Sequence, residues 1–145
     1  MTAPLPWLGP DDPFPPPSSG CGPDSAAPGL LAAGATLDVP RLLQAYAQGI
    51  FPWFSAGQPI LWWSPDPRMV LQVDQFRLHP SMRKTLRRFI GSAQCEIRID
   101  RDFARVIGQC ASQPRAGSGG GTWIVPDMQR AYCLLHRAGL AHSIE

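Results

Sequence analysis

From Leu42 to Pro65 the chain runs for 24 residues without a charged side chain, and no other stretch constrains its fold as strongly. That length would suffice for a membrane-spanning helix. Pro52 and Pro59 interrupt any such helix, and Gln44, Gln48 and Gln58 would carry unmet polar groups into lipid. The segment therefore belongs to a folded domain, with no membrane as partner. Within it, "GIFPWFSAGQPILWWSPDPR" (49–68) holds three of the five tryptophans of the chain. Its prolines keep it extended. The indoles then either plug a small core or stand on a stiffened loop as a platform for a flat ligand such as a nucleobase. The residues alone leave both readings open.

The 145 residues amount to about one ordinary domain. Ten of the 17 prolines fall in the first 40 residues. Residues 1–28 read as a Pro/Gly/Ser-rich arm, disordered and unable to fill a core. Pro15–Pro17 could serve as a polyproline ligand or simply as spacer. "MTAPLPWLGPDDPFPPP" has neither the basic start nor the unbroken apolar run of a secretory signal. The four cysteines, with no CxxC pair, then read as reduced thiols of a cytoplasmic protein. No zinc pattern or other metal site is expected.

Downstream the periodicity is helical in four places. "LDVPRLLQAYAQG" starts at an Asp38 cap and stops at Gly49, with Val39, Leu42, Leu43 and Tyr46 on the expected buried face. "HPSMRKTLRRFI" (79–90) opens at Pro80 and carries an apolar stripe of Met82, Leu86 and Phe89. "DFARVIGQCA" places Phe103, Val106, Ile107 and Cys110 on one face. "PDMQRAYCLLHRAG" runs from Pro126 to Gly139 with Met128, Tyr132 and Leu135 inward. "MVLQV" (69–73) and "CEIRI" (95–99) read as strands, and "AHSIE" (141–145) as the first residues of one more. A strand that opens and stops at once is expected of a truncated polypeptide.

Net charge is only +2, so any nucleic-acid contact must come from a local cluster. Arg77 to Phe89 is such a cluster, with five basic residues and no acid. Arg83, Lys84, Arg87 and Arg88 share the helix side opposite the apolar stripe, either as a solvated face or as contacts to phosphate. Basic charge beside tryptophans is the combination found in binders of single-stranded nucleic-acid ends. "RAGSGGGTWI" (115–124) lacks the lysine of a phosphate-binding loop and reads as a flexible loop leading to Trp123. His79, His136 and His142 lie on separate elements. Cys110 and Cys133, on apolar helix faces, read as inert core thiols. No acid–base pair or nucleophile can be assembled from these residues.

"LLQAYAQGIFPWFSAGQPILWWSPDPR", followed collinearly by "SMRKTLRR", "DFARVIGQCA", "GTWI", "MQRAYCLLHRAG" and "AHSIE", resembles the leucyl/phenylalanyl-tRNA–protein transferases of bacteria over residues 29–145. The resemblance implies an α+β chain. Residues 29–67 would be a small N-terminal domain. Residues 68–145 would be the first part of a domain like that of the acetyltransferase (GNAT) superfamily. The implied activity moves Leu or Phe from aminoacyl-tRNA to an N-terminal Arg or Lys of an acceptor protein, which marks that protein for degradation. No cofactor is implied, because the aminoacyl ester is already activated, and a cytoplasmic monomer is expected.

Carried onto this chain, the resemblance assigns Trp53 and Trp123 to the 3′-terminal adenosine of tRNA, with Tyr46 supporting them. It assigns Arg83, Lys84, Arg87 and Arg88 to the acceptor stem. Trp62 and Trp63 are left to build the domain. Catalytic residues are expected beyond Glu145, so this chain by itself is expected to be inactive. The chain departs from the family pattern at "GLLAAGATLD", where GLLALGGDLS is closer to the rule, in its longer glycine run before Gly121, and in residues 1–28. The competing readings are a non-catalytic module that binds RNA 3′ ends, and a Pro-rich interaction protein whose aromatics are only core.

Overall fold

A computed structural model describes residues 4–113 and 122–145. The glycine run 115–121 lies outside the described residues. The chain is α+β. Four short strands, β1 (Trp7–Leu8), β2 (Leu30–Gly34), β3 (Phe51–Pro52) and β4 (Leu61–Trp63), form one sheet in the order β1-β2-β4-β3. β1 runs parallel to β2, and the other pairs are antiparallel. Four helices complete it: α1 (Val39–Ala47), α2 (Pro80–Ile90), α3 (Phe103–Ser112) and α4 (Pro126–Arg137).

α1 is built from its ends. The Asp38 carboxylate accepts the Arg41 amide at 2.9 Å and the Thr36 hydroxyl, and Pro40 sits in the first turn where no amide is needed. At the other end Gly49 takes φ 73°. Its amide donates to the Tyr46 carbonyl, and the Ile50 amide donates to Ala45, the double closure of a left-handed cap. Ile50 is thereby turned fully into the core, and the chain enters β3 directly.

Trp62 is the centre of the sheet. It is wholly buried, pairs with Ala32 on one side and Pro52 on the other, and donates its indole N–H to the Gly34 carbonyl at 3.0 Å. That bond removes the cost of burying the one polar atom of the ring. Gly34 has φ 89°, and a Cβ there would lie 2.6 Å from the Leu8 carbonyl, so β1 can pair this closely only against glycine. Next to it Ala35 occupies φ 61°, a region costing alanine about 1–2 kcal/mol.

α4 ties the sheet to the rest. Ala131 and Leu135 pack with Leu31, Leu42, Ile50 and Trp62, while Met128 packs with Phe54 and Ile124.

Several sequence expectations are corrected here. Residues 4–28 are not a disordered arm: β1 adds a strand to the sheet, and Leu8 and Phe14 are core residues. Phe14 meets Trp62 edge to face at 4.8 Å, and the Arg41 guanidinium lies 3.7 Å from its ring centroid. Arg41 is itself buried, donating to the Asp12 carbonyl at 2.6 Å and so fastening the Pro-rich segment to α1. α1 buries Arg41, Leu42 and Ala45, whereas Leu43 and Tyr46 are substantially exposed, because the helix is rotated toward the segment that the composition assigned to solvent.

"MVLQV" is not a strand: among the described residues nothing pairs with it, and Met69, Val70, Leu71 and Val73 stand in solvent, with a 3₁₀ turn at Val73–Gln75. α2 forms as expected but buries none of its residues, its stripe of Met82, Leu86 and Phe89 included. "CEIRI" and "AHSIE" meet each other only at their ends, through reciprocal bonds between Arg98 and Glu145 and one antiparallel bridge, Ile99 to Ile144. Cys110 is exposed and Cys133 half-buried, so neither is a core thiol.

Candidate nucleic-acid interface

The site grows from β3 at the edge of the sheet, where a proline can sit without breaking an inner ladder. Phe51 and Trp53 are two residues apart and so share a face. Trp63 pairs with Phe51 across the strands, and its indole N–H donates to the Trp53 carbonyl at 2.7 Å. The two indoles lie 5.7 Å apart and tilted by 48°. Trp63 is thus held by sheet and hydrogen bond, and Trp53 leans on it with about half its surface (51%) open.

Trp123 approaches from the other half of the chain. It is placed by the turn before α4, where the Val125 amide bonds the Trp123 carbonyl at 3.0 Å and buried Ile124 anchors the segment. Phe51, Pro52, Trp53 and Trp123 together line a cleft of about 270 Å³. The structure therefore brings together two tryptophans 70 positions apart. The cleft is almost wholly apolar and presents flat rings, so it can stack a planar ligand, and among the described residues its lining has no group that could transfer a proton.

Behind Trp123 lies a second cavity of about 260 Å³, lined by Phe103, Val106, Ile107, Tyr132 and Ile144 among others, with Trp123 as the shared wall. Tyr132 is the residue that sequence reasoning placed merely inward. Its hydroxyl is hydrogen-bonded to that of Tyr46, joining the last turn of α1 to α4. Burial raises the pKa of both phenols; the bond between them raises that of Tyr132 further and partly offsets the rise in Tyr46. Tyr46 does not line the Trp53 cleft; it reaches the site through Tyr132. No sequence signal links positions 46 and 132, since the pairing exists only after α1 and α4 pack.

Sequence reasoning also missed a cluster at the rim of the second cavity. Asp100, at φ 56°, takes the Ser143 amide at 2.8 Å and lies 2.6 Å from His142 Nδ1 and 3.8 Å from His136 Nδ1. Its pKa is lowered, chiefly by the bond to His142. His136 stacks on Phe103 with centroids 4.3 Å apart, and the Glu145 carboxylate caps both the Ser143 hydroxyl and the Asp102 amide. Two of the three histidines that look scattered in sequence, His136 and His142, thus converge on one carboxylate 36 and 42 positions away.

The basic residues stand apart from the aromatic cleft. Arg83, Lys84, Arg87 and Arg88 are exposed on α2, line neither tryptophan cavity, and have no salt-bridge partner among the described residues. Among the described residues no helix is long and apolar enough to cross a membrane, and no group of three potential metal ligands converges.

Comparison with known proteins gives the family. Residues 70–145 match the profile of the leucyl/phenylalanyl-tRNA protein transferases, and residues 35–66 match the profile of the N-terminal domain of the same proteins. A leucyl/phenylalanyl-tRNA–protein transferase of a Polaromonas species is 62% identical over 145 residues, all of this chain and 56% of the relative. The protein of that name from Albidiferax ferrireducens is 62% identical over 142 residues, covering 98% of this chain and 56% of its own length. That of Paraburkholderia xenovorans is 58% identical over 141 residues, covering 97% and 57%. The likeness to the Polaromonas protein spans the first 28 residues too, which the resemblance had set aside. The chain spans a little over half the length of these relatives. It belongs to the leucyl/phenylalanyl-tRNA–protein transferase family.

Proposed function

We propose that this member of the family is the tRNA-end-binding part of an aminoacyltransferase. The whole activity transfers Leu or Phe from aminoacyl-tRNA to an acceptor protein with N-terminal Arg or Lys. The observation that carries the proposal is the meeting of Trp53 and Trp123 across one apolar cleft. A slot walled by indoles suits the flat face of the 3′-terminal adenosine, worth about 1–3 kcal/mol per stacked base. The Tyr46–Tyr132 pair buttresses the wall behind it. Arg83, Lys84, Arg87 and Arg88, without a salt-bridge partner among the described residues, are assigned to acceptor-stem phosphates.

The separate family matches over 35–66 and 70–145 support a boundary near residue 67. We read residues 29–67 as an N-terminal domain and 68–145 as the first part of a GNAT-like domain. In the reaction the α-amine of the acceptor attacks the ester carbonyl. The new peptide C–N bond forms, the ester C–O bond breaks, the tRNA 3′ oxygen leaves with the electron pair, and the amine loses a proton. Holding ester and amine together supplies most of the advantage, because the ester is already activated. A carboxylate to take that proton is expected in the portion of the relatives that this chain does not span.

The test is transfer of labelled leucine from leucyl-tRNA to a peptide with N-terminal Arg. It compares this chain with a version extended by the remaining portion of the Polaromonas relative. The extended version is expected to transfer and the 145-residue chain is not. Transfer by the shorter chain would place the catalytic groups within it. Adenosine or tRNA binding without transfer by either would leave a non-catalytic RNA-end module. Trp53→Ala should weaken adenosine binding about 10- to 100-fold with little change in stability. Neutralising Arg87 and Arg88 should flatten the salt dependence of tRNA affinity; unchanged affinity would remove α2 from the interface.

A further inference from the structure

The aromatic motif ends in Arg68, which the tryptophan cleft leaves without a role. Its Nη2 donates to the Gly49 carbonyl at 2.7 Å, and its guanidinium carbon lies 5.5 Å from the centroid of the Phe51 ring. The second fork nitrogen, Nη1, lies 3.4 Å from where a Cβ of residue 49 would be, so the fork sits close against the backbone at the end of α1. Arg68 is exposed and has no carboxylate partner among the described residues. A guanidinium carries five donor hydrogens, and one bond to Gly49 leaves most of them unspent.

Its neighbour Phe51 is a wall of the Trp53–Trp123 cleft. Phe51 and Trp53 follow one another on the same strand face, about 6.6 Å apart along the strand. Cation and indole therefore stand at two ends of a single aromatic platform. The cleft itself has no charge to offer. A nucleotide is planar and apolar at one end and anionic at the other, which is the pattern of this platform.

We propose that Arg68 binds the phosphate on the 5′ side of the nucleoside stacked between Trp53 and Trp123, making the site one for a terminal nucleotide rather than for a base alone. This rests on the assignment of that cleft to the 3′ end of tRNA. The bond to Gly49 holds the guanidinium in place and leaves the other donors of the fork for the phosphate oxygens, a bidentate geometry that lysine cannot reproduce.

The experiment titrates the full chain with adenosine, adenosine 5′-monophosphate and the trinucleotide CCA, following tryptophan fluorescence. The wild type should bind the monophosphate about tenfold more tightly than adenosine, as one charge-assisted contact would give. Arg68→Gln keeps a donor for the Gly49 carbonyl. It should erase that preference and leave adenosine affinity and the thermal midpoint unchanged. Arg68→Lys should restore only part of it. The slope of log affinity for CCA against log salt should fall by about 0.7 in Arg68→Gln, the value for one single-strand phosphate contact.

Equal weakening of adenosine and monophosphate by Arg68→Gln would make Arg68 a staple for the end of α1, and no effect on either would give it no part in binding. Both outcomes overturn the proposal. The underlying site has its own control: if Trp53→Ala leaves adenosine affinity unchanged, the cleft assignment fails whatever Arg68 does. No binding of any of the three ligands by the wild type overturns both.

Discussion

In the sheet, Leu31, Ala32 and Trp62 are shut from solvent. From Asp66 to Arg98, Met69, Val73, Phe76, Ile90 and Ile97 stand open to it, and no residue is buried. Both regions have apolar patterning, so composition does not separate them. The sheet has a second layer: α1 and α4 lay Leu42, Ala45, Ala131 and Leu135 against it, and Phe14 closes its flank. No such layer covers α2 or the residues before it among the described residues. The two elements of the open region then part ways. α2 survives because its hydrogen bonds close within eleven residues and Pro80 presets its first turn. "MVLQV" does not, because a strand's hydrogen bonds need a neighbour.

The sharpest way to break this contrast is to empty the sheet's centre. Trp62→Ala should cost about 3–5 kcal/mol in denaturant unfolding, from the lost transfer energy and the cavity left behind. A loss under 1 kcal/mol would mean that the sheet is no better packed than the open region.

Phe14→Ala asks whether the Pro-rich segment belongs on the packed side. It should cost about 3 kcal/mol, toward the low end for a buried phenylalanine because the flank borders solvent. It should also raise protease sensitivity within residues 4–28. Loss of sensitivity to this change would return that segment to the status of an arm.

Asp38→Ala should cost about 1 kcal/mol at pH 7, as a lost helix cap does. The Thr36 hydroxyl, and then the Arg41 amide, hold the Asp38 carboxyl below its ordinary pKa in the folded chain. Its contribution is therefore complete above the unfolded value near 4 and fades as pH falls through the lower folded value. The gap between wild type and Asp38→Ala should narrow across that acid window. Asp38→Asn should keep most of the cap and show a flatter acid limb. A gap that widened on acidification would reverse the assignment.

The smallest effect belongs to the open region. Val73→Ala should change stability by no more than about 0.5 kcal/mol, the usual range for surface substitutions. Amides of α2 should exchange with solvent far faster than those of β2 and β4, since an isolated helix of eleven residues is marginal in water. Slow exchange there would reveal a packing layer that the described residues do not contain.

Sequence by itself was enough for the helices, their caps and their stops, because Asp38, Gly49, Pro80 and Pro126 act within a turn of their own position. It was also enough for the family, and for Trp53 and Trp123 as candidates, because the motifs around them are long and unusual. It could not say that Phe14 is core while Phe89 is not, that Tyr46 turns outward to meet Tyr132, or that two histidines converge on Asp100. Each of those depends on surfaces brought together from tens of residues apart. Periodicity states which face of an element is apolar; only the packed structure states whether anything covers it.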